Sequence, residues 1–147
     1  MVRLRSILPL ILALFATFLV SCGSGVAQAP PTYTPEKVAQ IETALIPIKQ
    51  AQEKLPKLAQ LIADQDWIDV RNFIHGPMGL LRRNMSYVSR QLLEKDQGPA
   101  NELAKEVFAD FDSLDLAAKE QSLVATSESF YEIVEDFEEF LQFVPTN

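Results

Sequence analysis

One stretch near the middle of the chain, from Asp66 to Leu93, constrains the fold more than any other. On a helical wheel at about 100° per residue, its large apolar side chains fall on one broad face. They are Trp67, Val70, Phe73, Ile74, Met78, Leu80, Leu81, Met85, Tyr87, Val88 and Leu92. A helix that is apolar over half its circumference has to be covered by other helices. The stretch therefore predicts a small helical bundle.

The opposite face of this stretch is polar and basic. It carries Arg71, His75, Arg82, Arg83, Ser86, Ser89 and Arg90. Arginine is well suited to paired recognition of carboxylates, and the stretch contains no lysine, which would serve solubility as well. We therefore expect its basic members to form one docking surface for a partner, namely Arg71, His75, Arg82, Arg83 and Arg90. A face that serves solubility alone is the alternative.

The pattern is interrupted once, at Gly76-Pro77. Proline has no N–H to donate to the carbonyl of Phe73, and its ring crowds that turn. Because the apolar face keeps its phase on both sides, the sequence predicts one long helix kinked at Gly76-Pro77 rather than two helices.

Capping residues, glycine and prolines mark the expected ends of the neighbouring helices. Thr34-Pro35 predicts a helix start, since threonine caps a helix and proline suits its first position. Apolar residues at three-four spacing could carry this first helix to Ala63, although Pro47 and Pro56 must bend or break it. Asp66 is the expected cap of the second helix. Asp96-Gln97-Gly98-Pro99 is the expected boundary between the second and third helices.

Two further amphipathic helices follow. The third carries Leu103, Val107, Phe111, Leu114 and Ala118, and the fourth carries Leu123, Phe130, Val134, Phe137, Leu141 and Val144. The boundary between them, near Lys119–Ser122, is the least marked. No stretch alternates convincingly with the period of a strand. The sequence therefore predicts an all-α fold, an antiparallel up-down four-helix bundle over residues 35–147.

The N-terminal segment, residues 1–21, has the pattern of an export signal. Arg3 and Arg5 precede an apolar run, Ile7–Val20, that is short for a permanent membrane span. Two cleavage sites compete: Leu19-Val20-Ser21-Cys22 resembles the lipobox of bacterial lipoproteins, and Ala27-Gln28-Ala29 resembles an ordinary signal peptidase site.

The lipobox is the favoured site because it directly follows the apolar run, whereas the second site has Pro30 and Pro31 next to the scissile bond. Cys22 is also the single cysteine of the chain, so it cannot form an internal disulfide after export. We therefore expect Cys22 to carry lipid and to anchor the protein to a membrane. Residues 22–34, which are small, polar and proline-rich, are the expected flexible tether. A buried or free thiol is the alternative.

The charge of the chain is acidic and unevenly distributed. The net charge is −7, and loss of Arg3 and Arg5 with the signal would lower it to −9, which argues against a nucleic acid partner. The residues from Pro35 to Lys95 carry 9 basic and 7 acidic side chains, whereas those from Asp96 onward carry 2 and 13. The molecule is therefore expected to be electrostatically polar.

Motifs for catalysis or cofactor binding are missing from the sequence. His75 is the single histidine, it shares its face with arginines, and no orienting carboxylate lies one turn away. No Glu-x-x-His pair, glycine-rich phosphate loop or zinc spacing occurs. One carboxylate stripe, Glu128, Glu132, Glu135 and Glu139, could collect divalent cations weakly, but a solvated helix face explains it better. We therefore expect no catalytic site, metal site, cofactor or small-molecule substrate.

Two segments resemble a known family. WIDVRNFIHGPMGLLRRNMSYVSRQLL, which starts at Trp67, and VFADFDSLDLAAK at 107–119 are similar to the PsbQ family of extrinsic photosystem II proteins. The lipobox at Cys22 resembles that of its cyanobacterial lipoprotein members. The resemblance implies a four-helix bundle on the lumenal side of the thylakoid membrane that supports the oxygen-evolving complex and has no catalytic activity of its own. It implies lumenal subunits of photosystem II as partners and at most weak, family-level calcium binding.

A second class of function, ligand transport, is also compatible with the sequence. A lipoprotein could carry a small ligand inside its helical bundle. An interior filled by the chain's own Phe, Leu and Trp side chains favours the photosystem subunit, whereas a roomy central cavity favours the carrier.

Overall fold

Apolar residues spaced three and four apart fold into helices throughout the described part of the chain. The structure, a computed structural model, describes residues 31–146. The expected export signal, the lipid attachment at Cys22 and the tether as far as residue 30 lie outside those residues. Within 31–146 there is no strand, which confirms the all-helical prediction.

The helices are α1 (Pro35–Gln52), α2 (Leu55–Ala63), α3 (Trp67–His75), α4 (Leu81–Gln91), α5 (Glu94–Lys119) and α6 (Leu123–Phe143). Two predicted caps are confirmed. The Thr34 side chain accepts a hydrogen bond from the backbone N–H of Lys37 at 3.2 Å, and that of Asp66 accepts one from Asp69 at 3.1 Å. Each bond satisfies an N–H that has no partner inside the helix. The turn between α5 and α6 lies at 120–122, close to the expected boundary.

The first predicted helix is not continuous. It ends at Gln52, and α2 begins at Leu55 after a turn at Glu53 and Lys54. Pro56 lies in the first turn of α2, where a missing N–H costs nothing because that group has no helical acceptor. Pro47, by contrast, lies inside α1. The break therefore occurs at the second proline and not at the first.

The expected kink at Gly76-Pro77 is a full interruption. Helix α3 ends at His75, residues 76–80 form a turn, and α4 begins at Leu81, so the prediction of one kinked helix is wrong. Pro77 cannot donate to the carbonyl of Phe73, and the N–H of Met78 donates to it instead at 3.3 Å. This bond spans one residue more than an α-helical bond, and the chain leaves the helix there.

Both glycines of this turn lie against backbone. A Cβ at Gly76 would lie 2.8 Å from the carbonyl oxygen of Asn72, and a Cβ at Gly79 would lie 2.8 Å from that of His75. Gly98 differs, since nothing other than its neighbours in the chain lies within 4 Å of a Cβ there, and it is inside α5.

Gly76→Ala is therefore expected to lower the free energy of unfolding by about 1–3 kcal/mol, because the turn must shift to admit the methyl group. Gly98→Ala is the matched control, since it also precedes a proline, and should change the free energy of unfolding by less than about 1 kcal/mol, because the helix preference of alanine and the crowding of its Cβ by the Pro99 ring oppose each other. Urea denaturation followed by circular dichroism measures both. Equal effects of the two substitutions would show that the turn at 76–80 does not depend on its close backbone contact.

The boundary between α4 and α5 lies at Leu92 and Leu93, which are both extended, and not at 96–99 as expected. Pro99 lies inside α5. The boundary is fixed by a long-range contact. The Tyr33 hydroxyl accepts from the N–H of Leu93 at 3.1 Å and donates to Oδ2 of Asp96 at 2.8 Å. Tyr33, which lies two residues before α1, thus contacts the start of α5.

The helices pack through one hydrophobic core. α5 packs along α6; α1 packs on α4; α3 and α4 pack on α5; and α2 packs on α3 and α6. Fully buried side chains include Ile41, Leu45, Ile48, Leu58, Met85, Leu114, Ile133, Phe137 and Phe140. Of the helices in residues 31–146, none is long and apolar enough to cross a membrane.

The predicted faces of two helices need correction. On the central stretch, Leu80 and Tyr87 are exposed, whereas Ser89 is buried and its hydroxyl donates to the carbonyl of Met85 at 3.0 Å. That bond explains how a serine is accommodated in the core. On α6 the deepest residues include Ile133 and Phe140, which the predicted stripe omitted, while Leu123 is exposed. The predicted members Phe130, Val134 and Leu141 flank this core and are partly buried.

Candidate docking surface

The five basic side chains expected to dock a partner lie on two sides of α3 and α4. Arg71, His75 and Arg82 contact side chains of α5. Arg83 and Arg90 line a groove together with residues of α1. The sequence placed all five on a single face, and the structure divides them into two groups.

Arg71 and His75 share one carboxylate. Nε of Arg71 donates to Oδ1 of Asp115 at 3.0 Å, and Nη2 donates to Oδ2 at 3.4 Å. Nε2 of His75 lies 3.0 Å from the same Oδ1. Although burial raises the pKa of Asp115, the hydrogen bond and charge of Arg71, with those of His75, outweigh burial and hold this pKa below its usual value. Asp115 is therefore a stable anion bound by two groups of α3.

The orienting carboxylate of His75 was missed because it comes from another helix, 40 residues further along the chain. No spacing within the central stretch could reveal it. A histidine held by an aspartate can serve as a base, but only beside a group to activate. The cavity of about 430 Å³ next to His75 and Asp115 has no serine, threonine or cysteine among its described lining residues. In the structure, Asp115 joins His75 and Arg71 of α3 to α5.

Arg82 also makes its main contact within the molecule. Its guanidinium carbon lies 4.3 Å from the centroid of the Phe108 ring on α5. A cation over an aromatic face gains about 0.5–2 kcal/mol, depending on its exposure. The contact places the guanidinium over the ring of Phe108, which is buried.

Arg83 and Arg90 differ from the other three. They stand four residues before and three residues after Tyr87, so the three side chains form one row along α4. The opposite wall of the groove is α1, which contributes Gln40, Thr43, Ala44 and Pro47. The groove has a volume of about 580 Å³. Among the described residues, neither arginine has an ion-pair or hydrogen-bond partner.

Comparison with known proteins identifies the family of this chain. Residues 3–145 match the family model PsbQ, described as oxygen evolving enhancer protein 3. The chain belongs to the PsbQ family. It is also 47% identical to CyanoQ from Synechocystis sp. (strain ATCC 27184 / PCC 6803 / Kazusa) over 146 residues, which cover 99% of this chain and 98% of the relative. The family resemblance seen in the sequence is therefore confirmed.

PsbQ proteins are extrinsic subunits of photosystem II, and the family is not known for enzymatic activity. In this PsbQ chain the acidic half lies on α5 and α6. The four glutamates of the carboxylate stripe, Glu128, Glu132, Glu135 and Glu139, are exposed along α6. Within residues 31–146, no three His, Cys, Asp or Glu side chains are grouped so that they could hold a metal ion.

One acidic contact of this PsbQ chain is partly buried. Asp110 of α5 faces Asp136 of α6, and Oδ2 of Asp110 is buried without a hydrogen-bond partner. Burial raises the pKa of Asp110 to about 7, with further contributions from the neighbouring carboxyl group of Asp136 and from the charges of Glu132 and Glu106. Two carboxylates can only accept hydrogen bonds, so a proton on Asp110 is needed to join them. The contact between α5 and α6 is therefore sensitive to pH.

Proposed function

We propose that the protein is a non-catalytic extrinsic subunit of photosystem II on the lumenal side of the thylakoid membrane, where it stabilises the oxygen-evolving complex or its assembly. The observation that carries the proposal is the match to the PsbQ family over almost the whole chain, together with 47% identity to CyanoQ. Manganese and calcium are held, in this proposal, by the complex and not by this subunit.

The proposed architecture is an antiparallel, up-down four-helix bundle. In it, α1 with α2 forms the first rod, α3 with α4 the second, and α5 and α6 the third and fourth. The packing supports it: the late segment α4 lies on the early segment α1, α2 lies on α3, and α6 contacts both α5 and α2. Each rod thus has two neighbours, as in a closed bundle.

The proposed attachment to the membrane is a lipid on Cys22, after removal of residues 1–21, with residues 22–34 as tether. The lipobox-like Leu19-Val20-Ser21-Cys22 beside the apolar run supports it. Mass spectrometry of the mature N-terminus is expected to find a diacylglycerol-modified Cys22. An unmodified terminus at Pro30 would contradict the lipid anchor and favour the competing cleavage site.

Docking through the basic residues Arg71, His75, Arg82, Arg83 and Arg90 is part of the same proposal. These side chains stand out in a chain of net charge −7, and guanidinium groups recognise carboxylates in paired geometry. The expected partners are lumenal subunits of photosystem II. Asp115 and Phe108 of α5 orient Arg71, His75 and Arg82, and the remaining two, Arg83 and Arg90, have no ion-pair or hydrogen-bond partner among residues 31–146.

The test is a purification of the tagged full-length protein from detergent-solubilised thylakoid membranes. Photosystem II subunits should be enriched in the eluate relative to photosystem I subunits. An eluate without photosystem II would overturn the proposed function. The alternative, a lipoprotein that carries a small ligand, has less support because Met85, Leu114, Phe137 and Phe140 are fully buried and fill the core.

A further inference from the structure

We propose that the groove between α1 and α4 binds an acidic protein segment of the photosystem, with Arg83 and Arg90 as its anchors. This inference rests on the proposed function and assigns its protein contact to one groove. Within the five basic residues of the proposed docking surface, it makes Arg83 and Arg90 the direct anchors of the partner, while Arg71, His75 and Arg82 are engaged with α5.

The first argument is the availability of charge. Asp115 already occupies Arg71 and His75, and the Phe108 ring lies under Arg82. Arg83 and Arg90 are exposed and have no partner among the described residues. An unpaired guanidinium can receive a carboxylate through two parallel hydrogen bonds, which are stronger than bonds between neutral groups. The chain therefore offers a partner two free cations in one groove.

The second argument is spacing. Positions 83 and 90 are seven residues apart on one helix, so their backbones lie about 10 Å apart along the axis of α4. Tyr87 stands between them and is 50% exposed, although most aromatic side chains in residues 31–146 are at least partly buried. A partner with two carboxylates about 10 Å apart and an apolar group between them would match this row. Exposed aromatic and arginine side chains are the residue types that dominate protein interfaces.

The third argument comes from the opposite wall and favours a protein over a lipid headgroup. Pro47 has no N–H, so the Thr43 carbonyl, one turn earlier on the wall, lacks the donor that a helix ordinarily supplies. The Thr43 hydroxyl does not replace that donor, since it donates to the Ala39 carbonyl at 2.9 Å. The residues of α1 that line the groove carry no charged side chain. A peptide can satisfy both walls at once, with carboxylates for α4 and a backbone N–H for Thr43, whereas the phosphate of a lipid carries acceptors alone and would need a separate hydroxyl or amine of the headgroup to reach Thr43.

The test compares full-length tagged variants expressed in a cyanobacterial host that lacks its own family member. Arg83→Glu/Arg90→Glu reverses both anchors, and Tyr87→Ala removes the ring between them. Lys54→Glu/Lys57→Glu is the matched control, since both lysines are exposed, lie outside the groove and change the net charge by the same amount. Circular dichroism verifies that all variants are folded. The readout is the amount of photosystem II recovered per tagged protein after detergent solubilisation, at low and moderate salt.

The arginine reversal is expected to reduce this recovery at least about tenfold, and the tyrosine change about threefold or more. The lysine control should stay within about twofold of the parent. If the parent recovers photosystem II and the arginine reversal recovers as much, the groove is not the contact, while the proposed function stands. If the parent recovers none, the proposed function itself fails. Equal losses in the arginine and lysine variants would show a long-range effect of net charge and overturn the groove.

A vesicle assay distinguishes a lipid occupant. Purified parent and Arg83→Glu/Arg90→Glu proteins are mixed with phosphatidylglycerol vesicles, and the bound fractions are compared with those on neutral phosphatidylcholine vesicles. The proposal expects the same vesicle binding for both proteins. A tenfold loss of phosphatidylglycerol binding in the variant, with unchanged recovery of photosystem II, would assign the groove to an anionic lipid instead.

Discussion

Replacing Phe137 by alanine is expected to lower the free energy of unfolding by about 3–5 kcal/mol. Phe137 belongs to α6, which packs along α5, and its side chain is fully buried in the hydrophobic core. The loss combines the transfer of the ring out of an apolar environment with the cavity that remains. For a domain of this size, a change of that magnitude removes a large part of the total stability.

Trp67→Ala is the matched comparison, and it should lower the free energy of unfolding by less, about 1–3 kcal/mol. The sequence placed Trp67 at the head of the buried face of the central stretch, but the structure leaves it only partly buried at the start of α3. Urea denaturation of both variants, followed by circular dichroism, gives the two values. A larger loss for Trp67 than for Phe137 would contradict the packing described for α3 and α6.

The stability of the protein is expected to fall as the pH rises from about 5 to about 7.5. The pKa of Asp110 is about 7 in the folded protein, above its ordinary value of 3.8. A group whose pKa is raised by folding stabilises the folded state fully below the unfolded value, and this contribution is lost as the pH rises through the folded value. Asp110 is only partly buried and solvent screens its charge, so we expect a loss of about 1–2 kcal/mol.

The substitution Asp110→Asn isolates this group. An amide can donate to Asp136 as a protonated Asp110 does, so the variant should be more stable than the parent at pH 7.5, and the difference should be clearly smaller at pH 5. Asp112→Asn is the control on the same helix, since Asp112 is exposed. Thermal unfolding across this pH range measures all three proteins. Parallel pH profiles for the parent and Asp110→Asn would show that the contact between Asp110 and Asp136 does not govern this dependence.

The contribution of Asp115 to stability has the opposite pH dependence and changes in a different pH range. Its pKa is lowered by Arg71 and His75, so the stability that it contributes is present above its ordinary pKa and is lost only as the pH falls below that value. The two aspartates of α5 therefore act in separate pH ranges, and the fall between pH 5 and 7.5 is assigned to Asp110.

Local sequence signals predicted the helices well where the deciding group is near in the chain. Thr34 and Asp66 cap helices because a side-chain oxygen reaches an N–H three residues later, and both were foreseen. The phase argument at Gly76-Pro77 failed because a wheel records the direction of side chains and not the continuity of the backbone. Two apolar faces can stay aligned across a turn, as they do at residues 76–80.

Signals that depend on distant residues were not readable from the sequence. The boundary between α4 and α5 at Leu92 and Leu93 involves Tyr33, which is 60 residues away from Leu93. Gly98-Pro99 had predicted this boundary further along the chain, inside what is α5. The same reason applies to the candidate docking surface. The basic residue types were visible, but Asp115 and Phe108 of α5 decide which arginines are engaged. Only the folded chain separates Arg83 and Arg90 from the others.

The most direct measurement of the central claim is the amount of this protein in purified photosystems. Photosystem II and photosystem I are purified from the same membranes through tags on their own core subunits, and the protein is quantified in each by mass spectrometry. An extrinsic subunit of photosystem II is expected in a fixed ratio to the photosystem II core, to be released by a high-salt wash, and to be depleted from photosystem I. Equal amounts in both preparations, or its loss from photosystem II under gentle isolation, would contradict the account.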